Sequence, residues 1–243
     1  MTIPRFHFPD NLACGMRASL PPQSAHHAAK VLRLRTGDEI ILFDGNGGEY
    51  SAQINEIDKR GVTVQIGAHH ASERESPLVV TLAQAISSGD KMDITLQKAT
   101  ELGIARIQPL ESERSVVRLS GERAEKRVAH WQGVVISACE QCGRNQIPEV
   151  APIRRLHDWL GGAEKSGLRL MLSPEAESGL RDLPRPDQPA TLLIGPEGGF
   201  SAAETASARH AGFIPVRLGA RILRTETAAL ATLAAMQALW GDF

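Results

Sequence analysis

The sequence predicts an α/β protein in which a small β domain precedes a larger domain built on a mainly parallel sheet. Three observations carry this. From about residue 38 to 67 the apolar residues fall in short alternating runs, EIILF, YSAQINEI and VTVQI, separated by GNGG and KRG turns, the pattern of a small antiparallel barrel. After residue 77, apolar strand-like runs alternate with segments of helical spacing, as in a sheet covered by helices. Two of those runs lead into the loops IGPEGGFS at 194–201 and LGARILRTETA at 218–228. Such loops lie beyond the carboxyl ends of the strands, where an open α/β sheet binds small molecules.

The elements follow in order. The first seventy or so residues read as one β domain, and HHASERESP at 69–77 is polar and ends in Pro77, which suits a linker. The boundary is set as 1–72 for the β domain and 73–243 for the α/β domain. In the second domain VVTLAQAI, ARIQPL, LRLMLS, TLLIG and FIPVRLG are the strand candidates. The helix after SERSV carries Val128, Trp131, Val135, Ala138 and Cys142 at steps of three and four, one continuous apolar stripe. The last helix, 225–240, is dense in alanine with Leu230, Leu233 and Met236. Its small side chains admit another backbone closely, for core packing or for a dimer face. No GxGxxG follows the first strand of this domain, so the usual dinucleotide fingerprint is absent.

Composition narrows the function. A length of 243 residues with 42% hydrophobic content fits one large or two modest globular domains. No run approaches the roughly 20 apolar residues of a membrane span, and the opening MTIPRFHF lacks a charged-then-apolar signal pattern. A soluble, cytoplasmic protein without membrane association is expected. The cysteines Cys14, Cys139 and Cys142 are too few for a disulfide framework or a four-thiolate zinc site. Cys139 and Cys142 are read as reduced residues on a helix face despite their CxxC spacing. The histidines show no HExxH or similar spacing, so no metal is expected.

A formal charge of -1 and a pI near 6.7 give no global basic footprint and argue against a protein that coats nucleic acid nonspecifically. Local patches carry any such contact. His26, His27, Lys30, Arg33 and Arg35 form one cluster, and Arg106, Arg114, Arg118, Arg123, Lys126 and Arg127 a second. Each equally suits a solvated charged face.

In the first loop, Thr191 to Ile194 suit a buried parallel strand, and Ser201 with Glu204 has the spacing of a capping box. Between them Gly195, Gly198 and Gly199 permit positive φ and let a ligand lie against bare backbone, while Pro196 stiffens the turn. The same residues also suit a glycine-rich connection that holds nothing. In the second loop Leu218, Ile222 and Leu223 stand among turn residues beside Arg221 and Arg224, and Thr225 with Glu226 reads as N-cap and first-turn acid. That apolar lip beside cations suits an adenine-like ring, or the leucines fold under the loop.

GPEGG followed by LGARILRTETA resembles the cofactor half of the SPOUT methyltransferases, and within them the bacterial family that methylates N3 of a uridine in 16S ribosomal RNA. The resemblance runs the length of the chain through Arg5-Phe6, HHAAKVLRLRTGDEIILFDGNGGEY at 26–50, QKATELGI at 97–104, SERS at 112–115 and EQCGR at 140–144. It implies a PUA-like RNA-binding β-barrel followed by a SPOUT α/β domain whose deep trefoil knot forms the cofactor pocket. It further implies S-adenosylmethionine held by three loops, here residues 172–174, 194–199 and 218–224, with Leu172, Ser173, Ile194, Gly195, Glu197, Gly198, Gly199, Leu218, Gly219, Ile222 and Leu223 as cofactor contacts. A homodimer acting on 16S rRNA of the small subunit is implied as well, with Arg5, Lys30, Arg33 and Arg35 toward RNA.

The chemistry implied is methyl transfer to a weakly acidic ring nitrogen, so the uracil anion must be generated or stabilised. Arginine is permanently charged and accepts no proton, but Arg114, Arg144 or Arg224 suits stabilisation of charge on O2 or O4. Glu140 or Glu197 suits proton acceptance; Glu197 equally suits bracing its own loop, and Glu140 capping a neighbour. N3 lies on the Watson-Crick edge, so the target is unpaired or drawn from its stack. Two other readings stay open: a SPOUT enzyme that methylates a ribose 2'-hydroxyl, and an RNA-binding assembly factor without catalysis. The EQCGR block and the N-terminal barrel favour the first reading over the ribose enzyme, and the intact loop set speaks against the last.

Overall fold

Parallel strands need long crossovers, and this chain supplies them in both of the units into which it divides. The computed structural model describes residues 3–162 and 166–243, so the first two residues of MTIPRFHF lie outside the described residues. Residues 1–75 and 139–147 form one unit, and 76–138 with 148–243 the other.

The first unit is a five-stranded sheet of β1 (Arg5–His7), β2 (Arg17–Ser19), β3 (Glu39–Phe43), β4 (Glu49–Asp58) and β5 (Gly61–His70), ordered β1-β3-β4-β5-β2. Alternation sets its faces: in β5, Val62, Val64 and Ile66 point inward between Gly61, Thr63 and Gln65. They meet Phe6, Ile40, Leu42 and Ile54 in one core. The β4–β5 hairpin turns where Asp58 Oδ1 accepts from Arg60 N at 2.7 Å and Gly61 N at 3.1 Å, an aspartate turn of the kind KRG suggests. The sheet is not wholly antiparallel, as the alternating runs suggest. β1 pairs with β3 in parallel, because β2 and the helix α1 (Pro22–His26) intervene and give a crossover too long for a hairpin.

Within the polar stretch 69–77 the residues up to Glu75 are held by the first unit. β5 runs through His70, Glu73 accepts from Gly48 N, and Arg74 Nη1 reaches Glu49 at 3.2 Å and Gly143 O at 3.0 Å. Arg144 is buried and its Nε donates to both oxygens of Glu75 at 3.1 Å. Arg5 pairs with Glu49 and donates to Asn145 Oδ1 at 2.6 Å. A buried guanidinium must find a carboxylate or carbonyls; Glu75 meets Arg144, and Glu49 with Asn145 meets Arg5.

The second unit carries α2 (Lys91–Glu101), α3 (Glu122–Cys142) as far as Ala138, α4 (Leu156–Gly162), α5 (Ala202–His210) and α6 (Thr225–Trp240) around β6 (Val80–Ala85), β7 (Arg106–Glu111), β8 (Glu149–Val150), β9 (Arg154–Arg155), β10 (Leu168–Leu172), β11 (Ala190–Ile194) and β12 (Ile214–Val216). The order is β12-β10-β11-β6-β7-β8, with β9 also on β7, and every pairing is parallel. Both faces are covered, so Leu82, Ala83, Leu170, Met171, Leu192 and Leu193 are all buried. On the α3 stripe Trp131, Val135 and Ala138 are buried, while Val128 and Cys142 are half-buried. Leu233 and Met236 bury one face of α6.

Breaking the Arg144–Glu75 pair leaves a carboxylate without its partner, which for buried pairs costs about 3 kcal/mol or more. Arg144→Ala is therefore expected to speed amide exchange in β3, β4 and β5 by about a hundredfold. Exchange measured by mass spectrometry at the parent's rate would show that the pair does not hold this unit.

Candidate active site

Because β12, β10 and β11 are adjacent and parallel, their carboxyl ends open on one edge, and the three loops that follow them line a single cavity of about 720 Å³. Residues 172–175 lie at the end of β10, 194–200 at the end of β11, and 217–219 with 221–225 after β12; Lys91, Arg114 and Arg209 also line the wall.

Each loop is shaped by its own residues. Gly199 has φ +65° and its N–H donates to Pro196 O at 2.9 Å, a turn in which an L side chain is strained. Gly198 lets Arg114 approach: an added Cβ would stand 3.3 Å from Arg114 Cβ, and Arg114 Nη1 donates to Gly198 O at 2.9 Å. The capping box forms as its spacing predicts, with Glu204 N donating to Ser201 Oγ at 3.1 Å and Ser201 N to Glu204 Oε2 at 2.9 Å. Glu204 Oε1 also accepts from Glu113 N at 2.7 Å. The carboxylate that starts α5 thus also anchors the residue beside Arg114.

Thr225 is not the N-cap of α6. Arg224 takes that position without a side-chain bond, and Thr225 turns inward to donate to Gly195 O at 2.6 Å and accept from Gln84 Nε2 at 3.0 Å. Gln84 lies on β6 opposite Ile194 in the parallel ladder, which brings its amide beneath the loop. A buried carbonyl requires a donor, and that need outweighs the weak cap of a helix start open to solvent.

Glu197 answers the bracing alternative. Its Oε1 accepts from Ser88 N at 3.2 Å, Ser88 Oγ at 3.0 Å and Lys91 Nζ at 3.0 Å. Burial alone would push its carboxyl up, but those donors outweigh it and hold the group at about 2. A carboxylate so stabilised is a poor proton acceptor at neutral pH.

The structure brings together in this cavity Leu172, Ser173, Ile194, Gly195, Glu197, Gly198, Gly199, Leu218, Gly219, Ile222 and Leu223, together with Arg114 and Arg224. Ile222 is 84% exposed, an apolar lip and not a residue folded under the loop. Arg144 and Glu140 do not line the cavity. They belong to the first unit, where Glu140 Oε1 accepts from His7 N at 3.0 Å and burial pushes its carboxyl up. Arg5 is held in the same unit by Glu49 and Asn145. Lys30, Arg33 and Arg35 are exposed there on and beyond a π-helical turn at His27–Val31, with Arg33 at φ 54° and Val31 and Leu32 exposed between the cations. Cys139 is buried, its thiol pushed up to about 12 by that burial, and donates toward Gln146 O; it is no reactive nucleophile. Among the described residues no three His, Cys, Asp or Glu side chains gather as a metal would require.

The family model of an RNA methyltransferase domain matches residues 74–237, and that of an RNA methyltransferase PUA domain matches 20–67. The chain is 36% identical to ribosomal RNA small subunit methyltransferase E of Buchnera aphidicola subsp. Schizaphis graminum over 99% of this chain and 98% of that one. With the enzyme of the same name from Bacillus subtilis it shares 31% identity over 90% and 88%. The chain belongs to the ribosomal RNA small subunit methyltransferase E family. Among solved structures it is similar to a putative methyltransferase from Legionella pneumophila in complex with S-adenosylmethionine, with TM-score 0.96, 40% identity and 100% of both chains covered. It is also similar to a ribosomal RNA small subunit methyltransferase E from Neisseria gonorrhoeae bound to S-adenosylmethionine, at TM-score 0.93, 45% identity and full coverage of both.

Sequence reasoning missed Gln84, the inward turn of Thr225, the Ser88 and Lys91 clasp on Glu197, and Arg209 and Arg217 in the cavity wall. The one available signal was Gln84 itself, a polar residue in the apolar run VVTLAQAI. The Thr225 bridge makes a specific prediction. Thr225→Val keeps the shape but removes the donor to Gly195 O, a loss of about 1–2 kcal/mol. With S-adenosylmethionine as probe, calorimetry is expected to show affinity about tenfold weaker, and Thr225→Ser, which keeps the hydroxyl, within about twofold of the parent. Equal affinity of the valine and serine variants would remove the bridge from loop positioning.

Proposed function

We propose that the protein methylates N3 of a uridine in 16S ribosomal RNA of the small subunit, using S-adenosylmethionine. The observation that carries this reading is the cavity at the ends of β10, β11 and β12, where the glycine loop and the apolar lip adjoin Arg114 and Arg224. The residues suit that cofactor. Ile222 and Leu223 offer apolar surface to an adenosine, residues 194–199 offer backbone groups, and the volume matches a ligand of that size. We assign the cofactor contacts to Leu172, Ser173, Ile194, Gly195, Glu197, Gly198, Gly199, Leu218, Gly219, Ile222 and Leu223 of the three loops, and the knot implied by the family resemblance to the same loops.

When bound, S-adenosylmethionine supplies a methyl group already activated as a sulfonium. The chain must then orient the uracil for an in-line approach and favour its deprotonated form. Arg114, fixed against Gly198 and supported through Glu113, is positioned as one fork for a base carbonyl. Arg224, exposed at the start of α6, is the other. Held at about 2, Glu197 keeps its loop in place and is not assigned to the proton. Arg144 and Glu140 are assigned to the integrity of the first unit.

In this reading the enzyme is a cytoplasmic homodimer. Support for self-association comes from α2 and α6, which pack on each other and leave Ile94 and Leu239 exposed. No helix among the described residues is long and apolar enough to cross a membrane.

Three measurements test the reading. Nucleoside mass spectrometry of small subunits treated with the parent protein is expected to show N3-methyluridine, and a ribose-methylated product would overturn the assignment. Arg224→Ala is expected to lower single-turnover methylation about a hundredfold with cofactor affinity largely retained, since stabilising a developing anion is commonly worth a few kcal/mol. For RNA docking, Lys30→Gln/Arg33→Gln/Arg35→Gln is expected to reduce the slope of log affinity against log salt by about 2–3, one unit per lost phosphate contact. An unchanged slope would move docking elsewhere on the chain.

A further inference from the structure

The charge around the cavity exceeds anything its cofactor accounts for. Six cations line it, Lys91, Arg114, Arg209, Arg217, Arg221 and Arg224, against two carboxylates, Glu175 and Glu197. Lys91 is already spent on Glu197 at 3.0 Å, and Arg114 is tied to Gly198 O. Among the described residues Arg209, Arg217 and Arg221 enter no ion pair, and all three are exposed. S-adenosylmethionine carries a sulfonium and an ammonium against one carboxylate, so it is itself a cation. It does not neutralise this rim; the rim repels it. A polyanion does neutralise it.

We infer that Arg209, Arg217 and Arg221 seat RNA phosphates beside the target nucleotide, and that RNA bound there draws in the charged cofactor and holds the spent one less firmly. This rests on the reading of the protein as an S-adenosylmethionine-dependent RNA methyltransferase. Charge balance gives the second half. In the transfer the bond from sulfur to methyl carbon breaks with its electron pair left on sulfur, the ring nitrogen bonds the methyl through the pair its departing proton leaves behind, and that proton passes to water. The sulfonium becomes a neutral thioether. The cofactor therefore loses the charge that phosphate favours and arginine opposes, while the rim stays the same. Coupling between two ligands is reciprocal, so RNA binds more tightly to the protein holding the sulfonium than to the protein holding the thioether. Exposed charges interact through water, so the coupling weakens with salt.

The test is calorimetry on the full chain with S-adenosylmethionine and S-adenosylhomocysteine, each with and without a single-stranded uridine-containing RNA oligonucleotide, at low and high salt. RNA is expected to tighten S-adenosylmethionine about tenfold at low salt and S-adenosylhomocysteine by about threefold or less. The difference shrinks at high salt. Arg209→Gln/Arg217→Gln/Arg221→Gln is expected to weaken RNA binding at least tenfold and abolish the difference, with affinity for S-adenosylmethionine alone no weaker than the parent's. Arg221→Gln alone is expected to give an intermediate loss, and circular dichroism checks that the variants are folded. RNA affinity unchanged in the triple variant, or equal tightening of both cofactor forms in the parent, overturns the inference. Loss of S-adenosylmethionine affinity in the variant without RNA also overturns it, because the arginines would then hold the cofactor's carboxylate. A parent that binds RNA through this rim but no S-adenosylmethionine would instead sink the proposed reaction.

Discussion

Parallel pairing of β12, β10 and β11 is the constraint on which the site depends. Strands running the same way end on the same edge, so segments 172–175, 194–200 and 217–225 meet without any side chain having to bring them together. The cost falls on the backbone, because loops at a sheet edge leave carbonyls and N–H groups without ladder partners. The structure meets that cost with a few side chains drawn from neighbouring elements: Gln84 and Thr225 at Gly195, Ser88 and Lys91 at Glu197, Glu204 at both Ser201 and Glu113. These contacts join strands and loops far apart in sequence, and the glycine backbone of the first loop lines the cavity.

Most of the fold was legible because periodicity reports burial directly. EIILF, VTVQI, ARIQPL and TLLIG became β3, β5, β7 and β11, and the last helix spans Thr225–Trp240 as its composition implies. The parallel register of β1 with β3 was not legible, since a three-residue strand carries no sign of direction and its partner lies more than thirty residues on. The charged stretch at 73–75 has the composition of a linker, and only the positions of Arg144 and Gly143 show that those charges are used within one unit.

Within the site the contrast has the same origin. Ser201 and Glu204 cap a helix through contacts three residues apart, so spacing alone predicts them. Thr225 also stands at a helix start, yet its hydroxyl is claimed by a carbonyl thirty positions away, and nothing local distinguishes the two. Arg209 sits in the last turn of α5 and Arg217 just beyond β12, places where a cation is ordinary. Their convergence on one cavity is a product of the strand order.

That convergence bears on why arginine and not a titrating base dominates the wall. Glu197, within the glycine loop, is paired with Lys91 and the Ser88 donors and stays ionised at neutral pH. A group with so low a proton affinity gives little drive for abstraction. Stabilising a base anion by fixed cations requires no proton acceptor of matched affinity and works across the whole pH range in which guanidinium stays charged. The same permanence keeps the charge of the wall fixed whatever ligand it meets. Beside those fixed charges, Ile222 and Leu223 form the part of the wall that offers apolar surface to a neutral group.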